Sequence, residues 1–69
     1  MTLTELRYLV TLATERHFGK AAERCHVSQP TLSVAIRKLE DSLGLTLFER
    51  HRHGVLVTPA GADIIAQAK

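Results

Sequence analysis

Three groups of residues in this 69-residue chain carry side chains able to act on a ligand. The first is Ser28-Gln29-Pro30-Thr31-Leu32-Ser33, followed by Val34, Arg37 and Lys38. The Gln29 amide holds a donor and an acceptor suited to the edge of adenine, Pro30 and Val34 are apolar surfaces for a thymine methyl, and Ser33 adds a hydroxyl. Arg37 and Lys38, a turn further on, can reach phosphates, which adds salt-dependent affinity but little sequence information. The second group is Arg50-His51-Arg52-His53, a basic run of the kind that enters a narrow minor groove. The third is His17, His26, His51 and His53 with Cys25, the ligand types that zinc favours.

Each group also has a plainer explanation. A lone exposed Val34 is common on any surface, Arg37 and Lys38 suit an ordinary solvated helix face, and a short charge run suits a hairpin tip. Placement favours the chemical reading of the first two groups, because the polar, apolar and basic parts fall together at the start of one helix and beside it. The third group fails on spacing: His51 and His53 are two apart and Cys25 and His26 are adjacent, so no four-ligand pattern emerges and no metal or other cofactor is expected. Ser28, Ser33 and Ser42 have no nucleophile elbow or oxyanion pattern around them, and no enzyme is expected.

The elements that must position these residues follow from periodicity and caps. Leu3, Leu6, Leu9, Val10 and Ala13 recur at helical spacing behind a Thr2/Glu5 capping box, which predicts a first helix over 3–15. Phe18, Ala21, Ala22 and Cys25 predict a short second helix whose alanines admit a close neighbour. Ser28 is a good N-cap with Pro30 in the first turn, and Leu32, Ile36, Leu39 and Leu43 form one apolar face ending at Gly44, so a third helix is predicted over 29–43. Leu47–Arg50 and Val55–Thr58 read as strands joined through His51–Gly54, with the glycine supplying a positive φ in the turn. Thr58 and Pro59 open a fourth helix with Gly61, Ile64, Ile65 and Ala68 as its stripe. That stripe reaches Lys69 without a stop signal, so the chain is expected to be part of a longer protein with two-thirds or more lying beyond it.

Bulk properties bound the rest. At this length one domain with an economical core is expected, and a single cysteine cannot form an internal disulfide, which suits a reducing cytoplasm. The start Met1-Thr2-Leu3-Thr4-Glu5 lacks the basic and apolar blocks of a signal peptide, and no membrane partner is expected. A net charge of +2 and a pI near 9.1 permit nucleic-acid binding without demanding it. The distribution is more informative, with Arg37, Lys38, Arg50 and Arg52 gathered in the later part.

Several strings together resemble the LysR-type transcriptional regulators. They are Phe18-Gly19-Lys20-Ala21-Ala22-Glu23, Val27-Ser28-Gln29-Pro30-Thr31-Leu32-Ser33, Ile36-Arg37-Lys38-Leu39-Glu40, Leu43-Gly44, Leu47-Phe48-Glu49-Arg50 and Thr58-Pro59-Ala60-Gly61. Within that family, Arg16-His17-Phe18-Gly19 and Cys25-His26-Val27-Ser28-Gln29-Pro30-Thr31-Leu32-Ser33 are most similar to the peroxide-responsive OxyR branch. The resemblance implies a mainly α fold, a winged helix-turn-helix of three helices and a two-stranded wing over 1–58, with the helix-turn-helix at about 18–37. Residues 59–69 would then begin a linker helix that pairs subunits. It further implies sequence-specific binding to double-stranded DNA at imperfect inverted repeats, as a homodimer or homotetramer of the full-length parent, in control of oxidative-stress genes.

Carried over residue by residue, the base-reading positions fall on Gln29, Pro30, Ser33 and Val34. Backbone contacts fall on Ser28, Thr31, Arg37, Lys38 and Arg50, the wing contact on Arg52 or His53, and dimerisation on Gly61, Ile64, Ile65 and Ala68. Two departures stand out: many relatives have a basic or polar residue at the place of Val34, and Ser or Thr at the place of Gly19, which leaves the cap of the second helix unassigned. The alternatives are a LysR-type regulator of another metabolic pathway, a helical protein-interaction module working through the last stripe, and a thiol switch at Cys25.

Overall fold

The computed structural model describes residues 1–68, of Ala68 the backbone alone. Helix α1, Leu3–Glu15, opens on a complete capping box: Thr2 Oγ1 accepts from the Glu5 amide at 3.0 Å, and Glu5 Oε1 accepts from the Thr2 amide at 2.8 Å. Its buried face begins later than the spacing predicts. Leu3 is 85% exposed, whereas Leu12, outside the predicted stripe, is as fully buried as Leu9. Arg16 ends α1 in the left-handed conformation, with its amide donating to the Leu12 carbonyl.

Helix α2, Phe18–Arg24, is capped by His17, whose Nδ1 accepts from the Lys20 amide at 3.2 Å. This supplies the cap that the sequence left unassigned. Ala21 and Ala22 are buried where α2 meets α1 and α3, small side chains allowing the close packing. Cys25 is a buried free cysteine at the C-cap of α2, and the chain turns through His26 at φ 58°.

Helix α3, Gln29–Leu43, starts with Ser28 accepting from the Thr31 amide and Pro30 in the first turn, and stops at Gly44 with φ 68°. Leu32, Ile36 and Leu39 are buried along one side. Leu43 corrects the predicted ladder: it continues the same face but is 39% exposed, because the last turn projects beyond the packed body.

Strands β1, Phe48–His51, and β2, Gly54–Val57, pair antiparallel with Phe48 opposite Val57 and His51 opposite Gly54. Both lie one residue nearer the turn than predicted, so the turn is Arg52-His53 alone. The residues at the open end of the hairpin have other partners. Leu47 and Phe48 donate their amides to Glu40 Oε2 at 2.7 and 3.2 Å, and Thr58 caps α4, Pro59–Ala68, by accepting from the Gly61 amide. The Thr58 hydroxyl also donates to the Thr46 carbonyl at 2.6 Å, so this buried group is satisfied on both sides. Leu9, Leu12, Leu32, Ile36 and Leu47 are the largest fully buried side chains, with Phe48 and Val55 contributed by the hairpin. A core of this kind holds α3 rigidly, because each such leucine contributes about 1.5–3 kcal/mol by burial.

Candidate nucleic-acid interface

Burying Leu32, Ile36 and Leu39 fixes which side of α3 faces out. Ser28, Gln29, Pro30, Thr31, Arg37 and Lys38 are all exposed, Ser33 is half-buried and Val34 is 53% exposed. The exposed first turn of an unobstructed helix is what a major groove about 12 Å wide can admit. Pro30, Thr31, Val34, Ala35 and Lys38 line one shallow side of that turn. On the other side lies a cleft of about 380 Å³ between the starts of α2 and α3 and the hairpin, lined by Gln29 and Ser33 from α3 and by Arg50 to Val55 from the wing.

Two contacts set the position of the wing. The Val55 amide donates to the Arg16 carbonyl at 2.9 Å, at the turn between α1 and α2. A methyl group at Gly54 would stand 2.6 Å from that carbonyl oxygen, so Gly54 is required by this docking as well as by its φ of 146°. The sequence assigned this glycine to the turn; it begins β2 instead. The second contact is Glu40, on α3, gripping the amides of Leu47 and Phe48. With the hairpin held at both ends, Arg52 and His53 project into solvent at its tip beside the α3 N-terminus.

Arg50 makes contacts that no local sequence signal indicates. Its Nη2 donates to Ser33 Oγ at 3.3 Å, and its guanidinium lies 4.7 Å from the centroid of the Phe18 ring, a cation–π stack. Ser33 and Arg50 therefore meet in the structure, although the sequence put one on bases and the other on phosphates. Gly19 lies at the edge of this cleft: a methyl there would come within 3.0 Å of His17 Cε1 and 3.7 Å of Gln29 Oε1. His17, Phe18, Gly19 and Glu40 were not predicted as parts of the site. A histidine N-cap is outside the preferred Ser, Thr, Asp and Asn set, and the Glu40 contact spans seven and eight residues, beyond any local signal.

The remaining assignments fall as follows. Gly61 is buried, and a methyl on it would stand 2.3 Å from the Leu47 carbonyl oxygen, so it packs α4 against its own domain. Ile64 and Ile65 are half-buried against the same core, and the Ala68 side chain lies outside the described residues. Among the described residues, no three His, Cys, Asp or Glu side chains converge as metal ligands, and no helix is long and apolar enough to cross a membrane.

Residues 3–62 match the model of the bacterial regulatory helix-turn-helix protein, lysR family. Over all 69 residues the chain is 56% identical to the DNA-binding transcriptional dual regulator OxyR of Escherichia coli K12, of which it spans 23%. Among solved structures, it is similar to full-length OxyR from Pseudomonas aeruginosa, with a TM-score of 0.90 and 69% identity over 99% of this chain and 23% of that one. It is also similar to a BenM DBD in complex with benA site 1 DNA, with a TM-score of 0.92 and 41% identity over 99% of this chain and 76% of that one.

Proposed function

The chain belongs to the lysR family of bacterial regulatory helix-turn-helix proteins, and from that premise we propose that it reads double-stranded DNA by sequence for a transcription regulator of peroxide-inducible genes. The observation that carries this reading is the outward first turn of α3. Gln29, Pro30, Thr31 and Val34 are exposed there, flanked on one side by the basic wing tip and followed by Arg37 and Lys38. Polar and apolar parts for base edges thus sit between two sources of positive charge for the backbone, the division of labour that specific DNA binding needs. Gln29, Pro30, Ser33 and Val34 read bases, Ser28, Thr31, Arg37 and Lys38 hold the phosphates, and Arg52 and His53 enter the adjacent minor groove.

Residues 1–58 form the DNA-binding unit, and α4 begins a linker through which two or four copies occupy an inverted repeat, using Ile64 and Ile65. The peroxide assignment rests on likeness to OxyR proteins, which this chain spans for only 23% of their length. Cys25 is buried in the packing of α2 and is a core residue rather than a redox switch.

Selection of duplexes from a randomised pool, followed by anisotropy titration of the enriched and a scrambled duplex at two salt concentrations, tests the reading. Binding that prefers the enriched duplex, weakens with salt and changes its preference in Gln29→Ala supports it. Equal binding to both duplexes, indifferent to Gln29→Ala, refutes it.

A further inference from the structure

Arg50, on the wing, is hydrogen-bonded to α3, and its partner there is a proposed base reader. Its Nη2 donates into Ser33 Oγ at 3.3 Å while the guanidinium is stacked 4.7 Å from the Phe18 ring centroid. The stack restrains the plane of the guanidinium, and the bond brings its positive charge to the Ser33 oxygen. A serine hydroxyl has one proton to give and two lone pairs to receive with. Here one lone pair is taken, the adjacent cation weakens the other as an acceptor, and the same polarisation makes the proton a better donor.

We propose that Arg50 is a specificity-positioning residue, which makes the Ser33 hydroxyl a hydrogen-bond donor toward DNA and so selects a base presenting an acceptor in the major groove. This rests on the DNA-reading role of α3 proposed above. Guanine offers N7 and O6, adenine N7 and thymine O4, whereas the edge of cytosine offers only the N4 amine, a donor. The base beneath Ser33 is therefore guanine by preference, and cytosine is rejected twice, by the lack of an acceptor and by the approach of an amine to a guanidinium. In this role Arg50 acts through Ser33, and a contact with phosphate would instead leave the base preference untouched.

The test is selection from a randomised duplex pool by the wild-type chain, Ser33→Ala, Arg50→Ala and the double variant, each checked for wild-type helical content. Enriched duplexes are then titrated across a salt series. Wild type is expected to exclude cytosine at one position by about three- to tenfold, the worth of one net hydrogen bond. Ser33→Ala and Arg50→Ala should each lose that discrimination while the other positions keep theirs, and the double variant should lose no more than either single one. Replacing guanine at that position with 7-deazaguanine, which lacks N7, and separately with 2-aminopurine, which lacks O6, should weaken wild type in one case or the other and leave Ser33→Ala unaffected in both. If Arg50→Ala lowers affinity equally for all sequences and reduces the salt slope by about one, Arg50 is a phosphate contact and the proposal is overturned while the DNA-reading role stands. If wild type enriches no sequence, that role fails and the proposal with it. Should Arg50→Ala lose helical content, Ser33→Ala decides alone, since unchanged selection at every position by that variant overturns the proposal.

Discussion

Replacing Gly54 with alanine should loosen the wing, and its cost can be separated into two parts by comparison with two other glycines. At Gly54 both parts apply: φ is 146°, and the new methyl would meet the Arg16 carbonyl oxygen at 2.6 Å. Backbone strain of this kind costs about 1–3 kcal/mol. Moving the carbonyl away sacrifices the Val55 to Arg16 bond, worth about 0.5–1.5 kcal/mol net. A total of about 2–4 kcal/mol is a large share of the roughly 3–10 kcal/mol expected for a domain of this size. Gly44→Ala isolates the conformational part, since φ is 68° and nothing lies within 4 Å of the added methyl; the cost there should be about 1–2 kcal/mol. Gly61→Ala isolates the steric part, with its methyl 2.3 Å from the Leu47 carbonyl oxygen and no left-handed φ; overpacking of this kind costs about 1–3 kcal/mol or more. Thermal denaturation followed by circular dichroism reads all three, at about 4–8 °C per kcal/mol for a domain this small. Gly44→Ala should melt about 4–16 °C below wild type, and Gly54→Ala at least about 4 °C lower again. Melting of Gly54→Ala within about 2 °C of Gly44→Ala would show that the Arg16 contact contributes nothing, and the account of how the wing is held would be wrong.

Three further outcomes follow from the caps and the α3–β1 clamp. His17→Ala should cost about 1 kcal/mol in urea denaturation, with His17→Asn recovering most of it, because either side chain can accept from the Lys20 amide. Glu40→Ala should cost about 2–3 kcal/mol by the same measurement, and Glu40→Gln less, because an amide oxygen still serves the Leu47 and Phe48 amides without the charge. The Glu5 carboxyl is held below its ordinary value of 4.5 by its hydrogen bond from the Thr2 backbone amide, partly opposed by desolvation and aided by the Thr2 side chain. Because the folded value is the lower one, the stabilisation is full above the unfolded value and lost as pH falls through the folded one. A carbon-detected titration should place Glu5 below 4.5 in wild type and closer to it in Thr2→Ala, where the side-chain partner is gone.

What the sequence made legible and what it hid divide by the distance over which the physics acts. The bounds of α1 and α3 follow from Thr2 with Glu5, Ser28 with Pro30, and Gly44, all signals completed within three or four residues. The outward residues of α3 were legible for the same reason, since placing Leu32, Ile36 and Leu39 inward leaves Gln29, Pro30 and Val34 outside. The misplacements share another cause. Gly54 and Gly61 read locally as a turn residue and a stripe residue, yet each is a glycine because another segment's carbonyl presses on it, that of Arg16 or Leu47. The contacts of Arg50 were hidden for the same reason, since its partners Ser33 and Phe18 are 17 and 32 positions earlier in the chain. Leu3 and Leu43 read as core, since periodicity identifies a face but not how far along the helix that face is covered.

The same division bears on how recognition can change without loss of the fold. Gln29, Pro30, Thr31 and Val34 bury little of themselves, so substitutions there should alter what is read at small cost in stability. Glu40, Gly54 and Arg16 aim the wing through docking contacts, so substitutions of the first two should move the wing and the melting temperature together. Arg50 lies between these classes. It is exposed, so its removal should disturb the fold little, but it touches Ser33, so its removal should still change the bases accepted. A contact reached only through folding would thereby act on specificity as directly as the residues the sequence itself exposes.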